Sequence, residues 1–206
     1  NAWQSLGITS VEGAVTQELL PDWMVTYLVT YSGGFTYKSA WGAQDTEVVF
    51  QTVKTTVAFQ NSSGAALAGG LMKYKIQNTW YDMGTTEATG RVGRELLAGN
   101  SYEFKVTYDD AYYSLTKNIT ASTEILFKLV KRTIVLKDSQ GNKLAGGEGK
   151  VYKNGVWEIL GTTSLEGDVI HEVLQGWTCT YMMVYNNITT TKSEWGIQDA
   201  EVVFQA

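Results

Sequence analysis

Catalysis in this chain would have to come from very few side chains. There is one histidine, His171, and one cysteine, Cys179, so a nucleophile paired with its base could be built only around these two or from hydroxyls and carboxylates. Shifting the sequence by 77 residues places Cys179 over Val25 and Tyr102, apolar types on a strand, which reads as a buried structural thiol and not a nucleophile. The same shift places His171 over Gln17 and Arg94, which predicts an exposed strand residue with no partner. Acids recur in threes, as Glu18, Glu95 and Glu172 and as Glu47, Glu124 and Glu201, whereas a catalytic pair is expected once. There is no Asp-x-Asp-x-Asp-Gly loop, no paired Cys or His and no glycine-rich phosphate loop, so neither an enzyme nor a bound metal, nucleotide or other cofactor is expected.

Tryptophan is the informative residue. Trp3, Trp80 and Trp157 occur at every step of the shift and read as core or sheet-capping residues. The other four do not. Trp23 and Trp177 align with Asn100, and Trp41 and Trp195 with Asn118. On the adjoining strand, Ser101, Glu103 and Lys105 become Met24, Thr26 and Leu28 in one direction and Thr178, Thr180 and Met182 in the other. Exposed Trp, Met and Leu in one patch mark a contact surface. Trp23, Met24, Leu28, Trp41, Trp177, Met182 and Trp195 are therefore candidate interface residues between chains; the alternative is that these indoles pack on the neighbouring repeat of their own chain. Three sequons, at Asn61, Asn118 and Asn187, are candidate glycosylation sites, with chance occurrence as the alternative.

The elements that must position these residues follow from the repeat. An ungapped period of 77 residues means one folding unit copied in tandem, here as a partial repeat over 1–52 and complete repeats over 53–129 and 130–206. Within the middle repeat, apolar alternation and turn residues predict strands at 55–60, 71–77, 80–86, 91–96, 101–108, 114–120 and 124–130. In 101–108, Tyr102, Phe104, Val106 and Tyr108 alternate with Ser101, Glu103, Lys105 and Thr107, so one face is core and the other wet. With no helical period anywhere, the fold predicted is all-β: tandem Ig-like or prealbumin-like antiparallel β-sandwich repeats. The partial repeat lacks its first two strands, which predicts that a longer polypeptide or a neighbouring subunit completes it.

The last repeat carries Arg132-Thr-Ile-Val-Leu-Lys-Asp-Ser-Gln-Gly-Asn-Lys-Leu-Ala-Gly-Gly, then Gly161-Thr-Thr-Ser-Leu-Glu-Gly167, then the strand around Tyr181. This resembles the Cna B-type and carboxypeptidase-regulatory-like group of prealbumin-like sandwiches. The resemblance implies a stalk or adhesin module of a bacterial surface protein, in some members stiffened by a Lys-to-Asn or Lys-to-Asp isopeptide bond beside a buried Glu. The residues here depart from that device. First strands offer Gln60 and Lys137, last strands 124–130 and 201–205 offer no Asn or Asp, and Glu103 is replaced by Thr26 and Thr180, so no crosslink is expected.

A content of 44% hydrophobic, 18% charged and 12% aromatic residues can fill a core and is not the signature of disorder. A net charge of −5, with acids and bases scattered, argues against nucleic acid or an anionic membrane as partner. No stretch reaches the roughly 20 apolar residues of a membrane span. Richness in Thr, Ser, Asn, Gly and Tyr points to an extracellular or cell-surface location. Together these features predict a non-enzymatic structural subunit or segment of an extracellular filament, stalk or surface layer, self-associating head to tail through its outer repeats. The alternative is an adhesin or carbohydrate-binding module that stacks exposed aromatics on glycans.

Overall fold

The computed structural model describes residues 3–42 and 47–206, and every described element is a strand. Positions 1, 2 and 43–46 of the partial repeat, including part of the Trp-Gly-x-Gln-Asp motif after Trp41, lie outside the described residues. The strands are β1 (Met24–Tyr31), β2 (Gly34–Trp41), β3 (Thr52–Gln60), β4 (Leu71–Ile76), β5 (Thr79–Thr85), β6 (Arg91–Leu97), β7 (Asn100–Tyr108) and β8 (Ala111–Ile119). They continue with β9 (Thr123–Lys137), β10 (Glu148–Lys153), β11 (Val156–Thr162), β12 (Asp168–Leu174), β13 (Cys179–Tyr185), β14 (Ile188–Glu194) and β15 (Ala200–Gln205). Offsets of 77 residues relate β4 to β10, β5 to β11 and β6 to β12.

In the second repeat, the sheet β5-β4-β7-β8 lies across a core from strands β3, β6 and the first half of β9. Alternation decides which side chains enter: on β7, Tyr102, Phe104 and Val106 are buried and meet Val57 and Phe59 of β3 and Ile125 and Phe127 of β9. The third repeat repeats this with β11-β10-β13-β14 over β12, the second half of β9 and β15, around Ile134, Leu136, Tyr181, Met183, Val202 and Phe204.

Two features depart from the expected arrangement. The first is that the sheets are not wholly antiparallel. β3 pairs parallel with β9 (Thr55↔Thr123 to Gln60↔Lys128), and β9 pairs parallel with β15 (Ala200↔Arg132 to Gln205↔Lys137). First and last strands of a repeat lie side by side, pointing the same way. β9 serves two repeats at once, as the last strand of the second and the first of the third, and fuses their sheets into one of five strands.

The second departure is in the first repeat, which shows only the β1–β2 hairpin; residues 3–23 and 47–51 form no strand. In the complete repeats the matching segments are β5, paired with β4, and β6, paired with β3.

Candidate functional site: the outer hairpin face and the inter-repeat joint

Side chains on β1 and β2 alternate between two faces, and the pairing register assembles the outer one. Met24 stands opposite Trp41, Thr26 opposite Ser39, Leu28 opposite Tyr37 and Thr30 opposite Phe35. Trp41 is 48% exposed, Trp23 beside it 64%, and Met24, Leu28, Phe35 and Tyr37 are exposed as well. Between them the Thr26 and Ser39 hydroxyls hydrogen-bond at 2.8 Å. Four of the candidate residues, Trp23, Met24, Leu28 and Trp41, thus meet on one hairpin. Phe35 and Tyr37 complete the face and escaped the sequence reading, although their even spacing from Trp41 along one strand was the available signal.

The equivalent face of the second repeat is ionic. Lys75 pairs with Glu103 at 3.2 Å, Ser114 donates to Glu103 at 2.8 Å, and the Lys105 ammonium sits 4.1 Å above the Trp80 ring. The Ser114 hydroxyl, and then Lys75, hold the Glu103 carboxyl below its ordinary range. Trp80 is accordingly a sheet-face residue under lysine stems. Trp157 lies against Tyr152, and Trp3 is exposed on a segment without strand.

In the third repeat the candidates part company. Trp195 is 65% exposed and its indole N–H donates to the Gly176 carbonyl at 3.0 Å, while Met182 is half-buried opposite Thr191. Trp177 does not belong to an open surface. Its ring meets Tyr112 of the second repeat edge-on at 5.5 Å and packs on both cores, because the β7–β8 hairpin folds over it. Gly176 makes that approach possible, since a Cβ there would stand 2.6 Å from the Tyr113 ring.

This contact is part of a joint. The β7–β8 turn, with Asp109 and Asp110 both at positive φ as a type I′ hairpin turn requires, reaches the end of the third repeat. Lys153 forms an ion pair with Asp109, the Asn154 amide donates to Asp110 at 2.5 Å, and the Ser62 backbone N–H donates to Glu172 at 3.1 Å, joined by the Ser62 hydroxyl. The β1–β2 turn docks on the second repeat in the same way: the Tyr74 hydroxyl donates to the Ser32 carbonyl at 3.0 Å, and Gly33 lies under the Tyr81 ring.

A cavity of about 200 Å³ opens between the second and third repeats, lined by Asp109, Lys153, His171, Glu172, Trp177 and Cys179. His171 corrects the expectation of an exposed, unpartnered residue: it is 8% exposed, with Nδ1 3.1 Å from the Tyr181 hydroxyl. Burial first, and then the Lys153 charge, lower its pKa to about 4. Cys179 is buried as expected, and burial raises both its thiol and the Tyr181 phenol. Burial thus favours the uncharged forms of the histidine, thiol and phenol, and the His171–Tyr181 pair is held by a hydrogen bond. Among the described residues no cluster of three or more His, Cys, Asp or Glu could hold a metal ion, and no helix is long and apolar enough to cross a membrane.

The sequon asparagines differ in setting. Asn61 Oδ1 caps its turn, accepting from the Ser63 and Ala65 backbone at 3.1 and 2.8 Å, whereas Asn118 and Asn187 are exposed.

No family model matches the chain, and no curated protein sequence matches it. Among solved structures it is similar to GBS52, the minor pilin of Streptococcus agalactiae, with 11% identity and a TM-score of 0.36 over 74% of this chain and 94% of that one. It is similar also to BcpA, the major pilin subunit of Bacillus cereus, with 7% identity and a TM-score of 0.28 over 75% and 99%. A likeness to the Bacillus anthracis TIE protein, at 14% identity and a TM-score of 0.32, covers 88% of this chain, which spans only 40% of that protein. At these identities and TM-scores the likenesses carry nothing about activity or partners.

Proposed function

We propose that the chain is a non-enzymatic structural segment of an extracellular filament, stalk or surface layer, whose repeats over 1–52, 53–129 and 130–206 associate with further copies through the outer two. The observation that carries this reading is the contrast between repeats at equivalent positions. Met24, Leu28, Phe35, Tyr37 and Trp41 stand exposed on the β1–β2 face, and Trp195 on the third repeat, where the second repeat is ionic. An apolar face kept in water favours whatever covers it, by about 25 cal/mol per Å² removed from solvent. The joints supply rigidity, since each repeat is docked on the next by a hairpin turn. Head-to-tail contact between copies fits an apolar surface of this kind.

The test is the double variant Trp41→Asn, Trp195→Asn, which installs the side chain of the middle repeat at both places. Wild-type protein is expected to scatter increasingly with concentration and the variant to remain monodisperse; unchanged assembly would exclude these indoles as the contact.

A second reading has its own observation. Phe35, Tyr37 and Trp41 lie on one open face with the Thr26–Ser39 hydroxyl pair among them, the composition of a sugar-stacking platform. Saturable glycan-array binding by a monomer, lost in Trp41→Asn, favours that reading over self-association.

A further inference from the structure

The topology fixes where tension applied along the chain would fall. In the second repeat the polypeptide enters at the start of β3 and leaves along β9, and these two strands are parallel neighbours. Pulling the entry and the exit apart drives β3 and β9 past each other along their own axes. Their interstrand hydrogen bonds, evenly spaced in a parallel ladder, are then strained together instead of one after another. The third repeat has the same arrangement, with entry along the second half of β9 and exit along β15.

Three further features favour transmission of load. The 15 residues of β9 carry tension from one ladder into the next without a linker. The ladders are dry: Thr55, Val57, Phe59, Ile125 and Phe127, and then Ile134, Leu136, Val202 and Phe204, are all 2% exposed or less, so water does not reach the bonds from the core side. The ladder of the third repeat is tied beyond both of its ends, by the Lys131 backbone N–H donating to Asp199 at 2.6 Å and the Ala206 N–H donating to the Lys137 carbonyl at 2.8 Å.

We infer that the second and third repeats are tension-bearing units, in which the parallel β3–β9 and β9–β15 ladders act as shear clamps against stretching along the chain. This rests on the structural reading above but not on self-association. The strength comes from geometry and burial.

Single-molecule stretching of the whole chain, held at its two ends, tests it. Two unfolding steps of similar force are expected, each releasing a contour of about 250 Å less the folded length, since an extended chain spans at most about 3.3–3.6 Å per residue. The β1–β2 hairpin of the first repeat is antiparallel and is not counted in those two steps. The decisive comparison moves one handle to Gln140→Cys, in the turn after β9, and leaves the other at the C-terminus. Both handles then pull from the same end of the β9–β15 pair and peel it one bond at a time. The third repeat is expected to yield at less than half the end-to-end force at the same loading rate, forced unfolding being governed by the unfolding rate. Equal or greater force in the peeling geometry overturns the inference, as does end-to-end extension without steps. A Cys179→Val background avoids a second thiol. Should that variant fold poorly, the native background serves, because Cys179 is 5% exposed. Assembly without dependence on pulling direction would remove the clamp and leave the proposed function in place; the dependence without assembly would do the reverse.

Discussion

Acidification should loosen the third repeat before it loosens the second, through His171. The imidazole is buried beside Lys153 and Arg132, which oppose its protonation, and beside Asp109 and Glu172, which favour it; burial is the largest influence and sets the pKa at about 4. Above the ordinary value of 6.5 the ring is neutral folded or unfolded and contributes nothing to pH dependence. Between 6.5 and 4 the unfolded chain takes up a proton that the folded chain refuses, so stability falls as pH falls. By pH 4 the loss approaches about 3 kcal/mol, because each tenfold difference in proton affinity between the two states is worth about 1.4 kcal/mol. Native-state hydrogen exchange reads this repeat by repeat, with protection of β12 and β13 amides compared between pH 7 and pH 4. His171→Gln can keep a hydrogen bond to the Tyr181 hydroxyl and cannot titrate. Glu103 and Asp138, whose pKa values are lowered by hydrogen bonds from Ser114 and Asn142, also lose stability on acidification, but equally in both proteins. The wild type should therefore lose about 3 kcal/mol more than the variant over this range. Identical losses would refute the assignment of a buried neutral histidine.

Other consequences are separable. Thr55 is fully buried and its hydroxyl has no hydrogen-bond partner among the described residues, so Thr55→Val should leave urea stability unchanged or raise it by about 1 kcal/mol; a loss of that size would show a partner at the hydroxyl. Phe127→Ala removes a fully buried ring from the β9 side of the second core and should cost about 3–5 kcal/mol in thermal or urea unfolding. Trp177→Asn removes the indole held by Tyr112 at the joint; small-angle scattering should show greater freedom between the second and third repeats while each remains folded, and an unchanged profile would place the rigidity elsewhere.

Much of the fold was legible because β-structure writes itself as alternation. The pattern around Tyr102, Phe104 and Val106 named both the strand and its buried face, and the turn residues bounded the strands to within a few positions. The exposed indoles at 23, 41 and 195 were legible too, because the same strand position could be compared with a polar version of itself. Pairing was not. Alternation gives the faces of a strand but not its neighbours, so the parallel β3–β9 and β9–β15 ladders, and the single strand crossing from one repeat to the next, lay beyond it. His171 differs from expectation, and Trp177 follows the alternative of packing on the neighbouring repeat, for one physical reason: both are covered by the adjoining repeat, and a comparison of repeats with one another shows what differs between them without showing what docks against each.

The most direct test of the central claim is electron microscopy of the untreated protein across a range of concentrations. Extended assemblies, fibres or sheets with a regular axial repeat, are expected, and they should disappear when Trp41 and Trp195 are replaced by Asn. Single short rods at every concentration, identical for the two proteins, would contradict it.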